Sequence, residues 1–223
     1  MSVRHALVRV VDVVLVLGAL VVGGLAVVRQ FRPEWLRTKP VPRELGKQKV
    51  ATGVGALMGS DSARLVLVEF SDFECPACRE TARRIQSLRE KYPSELAVRY
   101  RHFPLRIHPH AFDASVASEC AADQHRFEAF HDAVYAQQEH IGTKPWVAFA
   151  RDAGVPDIDK FASCLTSEQS ASRVRTDAAL ASSLQLAGTP SFILAGRLYF
   201  GPSAAQLETD IAKLIADSAH RAP

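Results

Sequence analysis

Residues 66–79 read VLVEFSDFECPACR. An apolar, β-branched run gives way to a short turn, then to Cys75 and Cys78 in a C-x-x-C spacing, with Pro76 directly after the first cysteine. The pattern predicts a strand that delivers Cys75 to the start of a helix, because proline suits the first helical position, where its missing N–H would have no partner anyway. Unpaired amides and the positive end of the helix dipole favour a thiolate over a thiol at that place. Cys78, one turn further in, is placed to attack a mixed disulfide formed at Cys75. The residues therefore point to thiol–disulfide exchange. A C-x-x-C is also half of many zinc sites. The other two cysteines, Cys120 and Cys164, are far apart and form no second C-x-x-C, so a site built from all four is the weaker reading.

Outward from this stretch the chain alternates in character. Residues 51–62 predict a short leading strand and turn, and residues 65–70 the first core strand. After Cys78, the spacing of Ala82, Ile85, Leu88 and Tyr92 is helical, and Pro93 ends that helix. Residues 96–103 alternate Leu96, Val98 and Tyr100 with other side chains, a second strand, so the three pieces form a strand, helix, parallel strand unit. Residues 107–186 have no strand-like run. They predict helices over 111–122 (Phe112, Val116 and Cys120 on one face), 127–138, 145–153, 157–165 (Ile158, Phe161 and Leu165 beside Cys164) and 167–186. Strand chemistry returns as a hairpin over 191–194 and 198–200 with a turn at Ala195-Gly196. A last helix over 203–218 places Leu207, Ile211, Leu214 and Ile215 on one face. The result is an α/β sheet domain interrupted by a helical stretch.

The 223 residues, 48% hydrophobic, suit an ordinary globular chain of one large domain plus an appendage, or two small ones. The net charge of +3 is uneven: residues 1–43 carry seven Lys/Arg against two acids, a balance of +5, and the remainder carries twenty against twenty-two, or −2. A mildly acidic folded part gives no sign of nucleic-acid binding. Residues 13–28 hold no charge, and counted from Ala6 the apolar stretch is long enough to cross a bilayer. Residues 1–30 therefore read as a membrane anchor, the alternative being a signal peptide cleaved near Gly24-Leu25-Ala26. Arg29, Arg32, Arg37, Lys39 and Arg43 follow the segment, a charge bias that by itself would hold that side in the cytoplasm. Residues 31–50, with Pro33, Pro40 and Pro42 and no sustained apolar period, read as a linker.

Two further features bear on the cysteines. Glu69 is an acid inside the apolar strand, six residues before Cys75; alternation leaves open whether it is solvated or buried beneath the cysteines, where its pKa would rise and it would relay the proton of Cys78. Gly188-Thr189-Pro190 stands just before the returning strand. Taken alone, that proline is a turn residue.

FSDFECPACR with its upstream acid, RYRHFPL on the next strand, the helix pair ASECAADQHRFEAFHDAVY and GTPSFIL, taken together and in this order, resemble the DsbA-like class of thioredoxin-fold proteins. The likeness spans roughly residues 51–216. It implies a thioredoxin fold (51–106 and 187–218) with an inserted all-helical domain (107–186), preceded by the N-terminal transmembrane helix. Residue by residue, Cys75 matches the surface nucleophile, Cys78 the buried resolving cysteine, Glu69 the buried acid and Pro190 a cis-proline facing the disulfide. Thr189 matches the residue whose backbone pairs with a bound substrate strand. His102 stands where relatives carry histidine and is given no catalytic role. Pro76-Ala77 replaces the Pro-His of the best-known member and tunes the thiolate, which leaves oxidising strength open. The resemblance also favours a structural disulfide between Cys120 and Cys164; two separate buried thiols are the alternative.

His108, His110, His125, His131 and His140 show no i, i+4 chelating pair and read as solvated or capping residues, so no metal is expected. The expected function is a membrane-anchored, extracytoplasmic thiol:disulfide oxidoreductase, without cofactor, that oxidises thiols of exported proteins. It would act as a monomer and pass its electrons to a quinone-linked membrane partner. Its rivals are a reductase or isomerase of the same fold, and a copper- or zinc-binding C-x-x-C module.

Overall fold

In the computed structural model, residues 42–45, 54–202 and 204–219 are described, all within one unit, Pro40–Pro223. The elements in chain order are β1 (Arg43–Glu44), β2 (Ala56–Met58), β3 (Leu65–Ser71), α1 (Pro76–Lys91), β4 (Leu96–His102), α2 (Ala111–Ala122), α3 (Phe127–Ala136), a 3-10 turn (Gln138–His140), α4 (Trp146–Asp152), α5 (Ile158–Cys164), α6 (Glu168–Ser183), β5 (Ser191–Leu194), β6 (Arg197–Phe200) and α7 (Ala204–Ala219). The strands form one sheet in the order β1-β6-β5-β3-β4-β2. β3 pairs parallel with β4, with Glu69 opposite Tyr100, and antiparallel with β5, with Glu69 opposite Phe192.

A crossover is required between parallel neighbours, and α1 supplies it. Both faces of β3 are covered, so its sequence is apolar nearly throughout. Leu67, Val98, Tyr100, Phe192 and Leu194 face one large core shared with Cys78, Ala82 and Ile85 of α1, with Phe130, Phe149 and Phe161 from the helical stretch, and with Leu207 and Ile211 of α7. Val68, Phe70 and Ile193 face a smaller core closed by Ala181, Leu184, Leu45 and Leu198. α6 is pinned to β4 by charge: buried Arg101 donates to Asp177 at 2.5 Å, and the second Asp177 oxygen accepts the His102 amide at 3.0 Å. A pair taken out of water in this way needs such extra hydrogen bonds to offset desolvation.

Two features depart from the sequence reading. Within the stretch read as a linker, Arg43 and Glu44 pair antiparallel with β6, the Leu45 amide donates to the Gly196 carbonyl at 3.0 Å, and Leu45 is buried. Edge pairing uses backbone groups, so no apolar period announces it. His131, read as solvated or capping, is buried among Phe73, Tyr100, Phe127 and Tyr135, with Nδ1 against Asp132 at 2.8 Å. It lies on the inner face of α3, where its ring packs edge-on to aromatic neighbours. Among the described residues no helix is long and apolar enough to cross a membrane; the expected anchor at 1–30 lies outside them.

Cys120 of α2 and Cys164 of α5 form a disulfide with Cα atoms 5.7 Å apart, bridging a sequence separation of 44. Closing a loop of that length removes unfolded-state entropy worth about 4 kcal/mol in the chain-entropy model. Replacing both cysteines by serine is expected to lower the free energy of unfolding by roughly that amount in urea titrations. Coincident unfolding curves for the two proteins would contradict it.

Candidate active site

β3 ends at Ser71, and the chain turns on Asp72, whose carboxylate is fully buried. One Asp72 oxygen accepts the Glu74 amide (2.8 Å); the other accepts the Leu105 amide (2.8 Å) and meets Nδ1 of His108 (2.8 Å). This ties the loop after β4 to the turn before the cysteines. The Glu74 carboxylate extends the tie by accepting the His110 amide at 2.6 Å. Phe73 packs its ring on Tyr100, centroids 5.4 Å apart.

Cys75 is the N-cap of α1 with extended backbone (φ −73°, ψ 119°), and Pro76 begins the helix. Its carbonyl accepts the amides of Cys78 (3.1 Å) and Arg79 (3.2 Å), which sets the first turn. The Cys75 side chain is largely covered, Cys78 is fully buried, and Pro76 and Ala77 between them are exposed. Cys75 is thus largely covered, where the resemblance implied a surface nucleophile. Both thiols are unbridged.

Just before β5, the strand beside β3, the Thr189–Pro190 peptide is cis, and the Thr189 carbonyl lies 3.6 Å from Cys75 Sγ. The loop is fixed by Ser191 Oγ donating to the Gly188 carbonyl (2.7 Å) and by the Gly201 amide donating to the Pro190 carbonyl (3.1 Å).

The two sulfurs are electrostatically unequal. Cys75 falls from 9.0 to about 5, chiefly because the Cys78 thiol donates to it, helped by Thr189 and by the Cys78 and Ala77 amides at the helix start, against the cost of burial. Burial pushes the Cys78 thiol far up, and donation to Cys75 together with the Cys75 charge pushes it further. A thiolate at Cys75 and a thiol at Cys78 is therefore the stable reduced pair.

Glu69 is fully buried, and among the described residues neither carboxyl oxygen has a hydrogen-bond partner. Burial raises its pKa, opposed by His131 and Ser71. Its strand face is the one that carries Leu67 and packs against α1, so the solvated alternative is removed. The face also holds a polar cluster: Tyr135 Oη lies 3.0 Å from Ser71 Oγ, 3.4 Å from Tyr100 Oη, and donates to the Asp72 carbonyl at 3.2 Å. Burial lifts both phenols well above their ordinary range.

The structure thus brings Cys75, Cys78 and the cis Thr189–Pro190 peptide together, with Glu69 buried on the face of β3 that packs against α1. Sequence reasoning missed Asp72, Tyr135 and Gln138, whose amide donates to the carbonyls of Phe73 (2.7 Å) and Cys75 (3.0 Å). Their local sequence carries no sign of this, since Tyr135 and Gln138 meet the loop from more than sixty positions away. His108 and His110 act on this loop, while His102 is buried against Glu119 at 2.8 Å. Among the described residues no group of three or more His, Cys, Asp or Glu is arranged to hold a metal ion.

The model of the family described as Thioredoxin matches residues 51–215. A thioredoxin-like oxidoreductase from Silicibacter pomeroyi DSS-3 is similar in structure (TM-score 0.60, 26% identity, 75% of this chain and 93% of that one). The fold is shared with the thiol-disulfide exchange protein alpha-DsbA2 of Wolbachia pipientis (TM-score 0.64, 17% identity, 72% and 87%) and oxidised BdbD of Bacillus subtilis (TM-score 0.66, 17% identity, 80% and 100%). Among curated proteins, Na(+)/H(+) antiporter NhaA 1 of Mycobacterium sp. (strain KMS) is 36% identical over 149 residues, 66% of this chain and 24% of the antiporter. The chain spans about a quarter of the length of such relatives, so the likeness is to one portion of them. With an activated Cys75, a buried Cys78 and the cis Thr189–Pro190 peptide on this fold, the chain belongs to the DsbA-like thioredoxin-fold family of thiol:disulfide oxidoreductases.

Proposed function

We propose that this oxidoreductase works outside the cytoplasm, oxidising thiols of exported proteins to disulfides while tethered to the membrane through residues 1–30. The observation that carries the reading is the stabilisation of Cys75 as a thiolate, with its pKa near 5. An enzyme whose reduced form is stabilised in this way gives up its disulfide readily, which is the property of an oxidant. In this reading residues 51–106 and 187–218 form the catalytic domain, and residues 107–186 an inserted helical one.

In the forward reaction the pair starts as a Cys75–Cys78 disulfide. A substrate thiolate attacks Cys75 Sγ, a substrate–Cys75 bond forms, and the Cys75–Cys78 bond breaks with its electron pair on Cys78. A bare thiolate on Cys78 is costly in its buried setting, so a proton must reach it. Glu69, whose pKa burial raises, is assigned as the group that supplies this proton, and takes one back when the disulfide is remade. The substrate's second thiolate then attacks its own bridged sulfur and expels Cys75 as the favoured thiolate. The substrate has lost two electrons and the enzyme has gained them. The Thr189 backbone beside Pro190 pairs with the substrate strand, and exposed Pro76 and Ala77 border its approach. A quinone-linked membrane partner removes the two electrons. The enzyme acts as a monomer without organic cofactor or metal.

Two measurements test this reading. Thiolate absorbance of the reduced protein is expected to rise with a midpoint near pH 5, and the Cys75→Ser variant should lack that step. Linkage gives the sign for stability: the folded pKa lies below the unfolded one, so the contribution is absent at low pH, grows as pH rises from about 5 towards 9, and is lost again as pH falls through about 5. Secondly, Cys78→Ala should accumulate mixed disulfides between Cys75 and exported proteins. Adducts confined to cytoplasmic proteins, or no adducts at all, would count against the proposal.

A further inference from the structure

Three backbone carbonyls around the nucleophile are gripped by one short segment of the helical stretch. Tyr135 Oη donates to the Asp72 carbonyl at 3.2 Å, and Gln138 Nε2 donates to the Phe73 carbonyl at 2.7 Å and to the Cys75 carbonyl at 3.0 Å. The next residue, Glu139, pairs with Arg79 in the first turns of α1 at 3.2 Å. Residues 135–139 therefore hold the loop before the cysteine and the helix after it at once.

The Cys75 carbonyl already accepts the Cys78 and Arg79 amides, so Gln138 is not needed to satisfy it. Its contribution is electrostatic and geometric. Carbonyl oxygens carry partial negative charge, and those of Phe73 and Cys75 flank the residue that must bear a full one. An amide N–H₂ group bonded to both offsets that charge and fixes the two peptide planes. With the planes fixed, the amides of Ala77 and Cys78 keep facing Sγ.

We propose that Gln138, from the inserted helical stretch, is a positioning residue for the exchange reaction, holding the Phe73 and Cys75 carbonyls so that the amides at the start of α1 stay aimed at the Cys75 sulfur. Gln138 does not touch the reacting sulfur; it acts through the backbone. The inference rests on the thiolate reading of Cys75 given above.

The test compares Gln138→Met, of similar length but without donors, with Gln138→Lys, which restores donors and adds positive charge. For each, the pH midpoint of Cys75 thiolate absorbance and the thermal midpoint are measured on the full chain. Gln138→Met is expected to raise the titration midpoint by about half a unit, roughly a threefold fall in the thiolate-to-thiol ratio. Gln138→Lys should titrate at or below the wild-type midpoint. A merely structural role would lower the thermal midpoint of both variants and leave both titrations at the wild-type value, which would overturn the proposal. If Gln138→Met does not fold, Gln138→Ala takes its place: a midpoint above wild type supports the proposal, and one at the wild-type value overturns it. A wild-type midpoint at the ordinary thiol value would instead remove the thiolate reading itself, whatever the variants do.

Discussion

A helix that begins on a cysteine leaves amides without partners at the one place where a sulfur can use them. Everything else around Cys75 keeps that arrangement in being. Pro76 starts the helix without spending a donor. Buried Asp72 shapes the turn that brings the chain off β3, and the loop after β4 is bound to the same carboxylate. The Thr189–Pro190 loop closes the other side, held by Ser191 and Gly201. The parallel pairing of β3 with β4 and the antiparallel pairing of β3 with β5 place these pieces at one end of the sheet.

The second constraint is burial. Cys78, Glu69, Tyr100 and Tyr135 all lie out of water, and in a low dielectric each resists ionising. Cys75, at the edge of this region, takes the charge that its neighbours refuse. The asymmetry between the two sulfurs therefore follows from where the core ends: the first cysteine lies on the helix cap and the second within the core. A buried carboxyl with no hydrogen-bond partner is expensive for stability alone. In the reaction proposed above, an inner sulfur that must gain and lose a proton would give that expense a chemical use.

Much of this was legible in the residues. The C-P-A-C junction, the period of α1, the bounds of α2 and the returning hairpin follow from spacing and from proline and glycine placement. Other features were not, each for a physical reason. Glu69 could not be assigned a face because β3 is covered on both sides and shows no alternation. The pairing of Arg43 and Glu44 is made by backbone, to which side-chain pattern is blind. His131 reads as polar in a sequence but presents a flat ring to aromatic neighbours in the core. Gln138 and Tyr135 act on peptide carbonyls far away in the chain, and no local signal marks a residue whose partner is another residue's backbone.

On the function proposed above, Cys75 and Cys78 form an oxidising pair because the thiolate of the first is stabilised by its surroundings. The direct measurement is the equilibrium of the pair with glutathione, read as a reduction potential. A potential well above the roughly −270 mV of thioredoxin is expected. A potential at or below that value would contradict it.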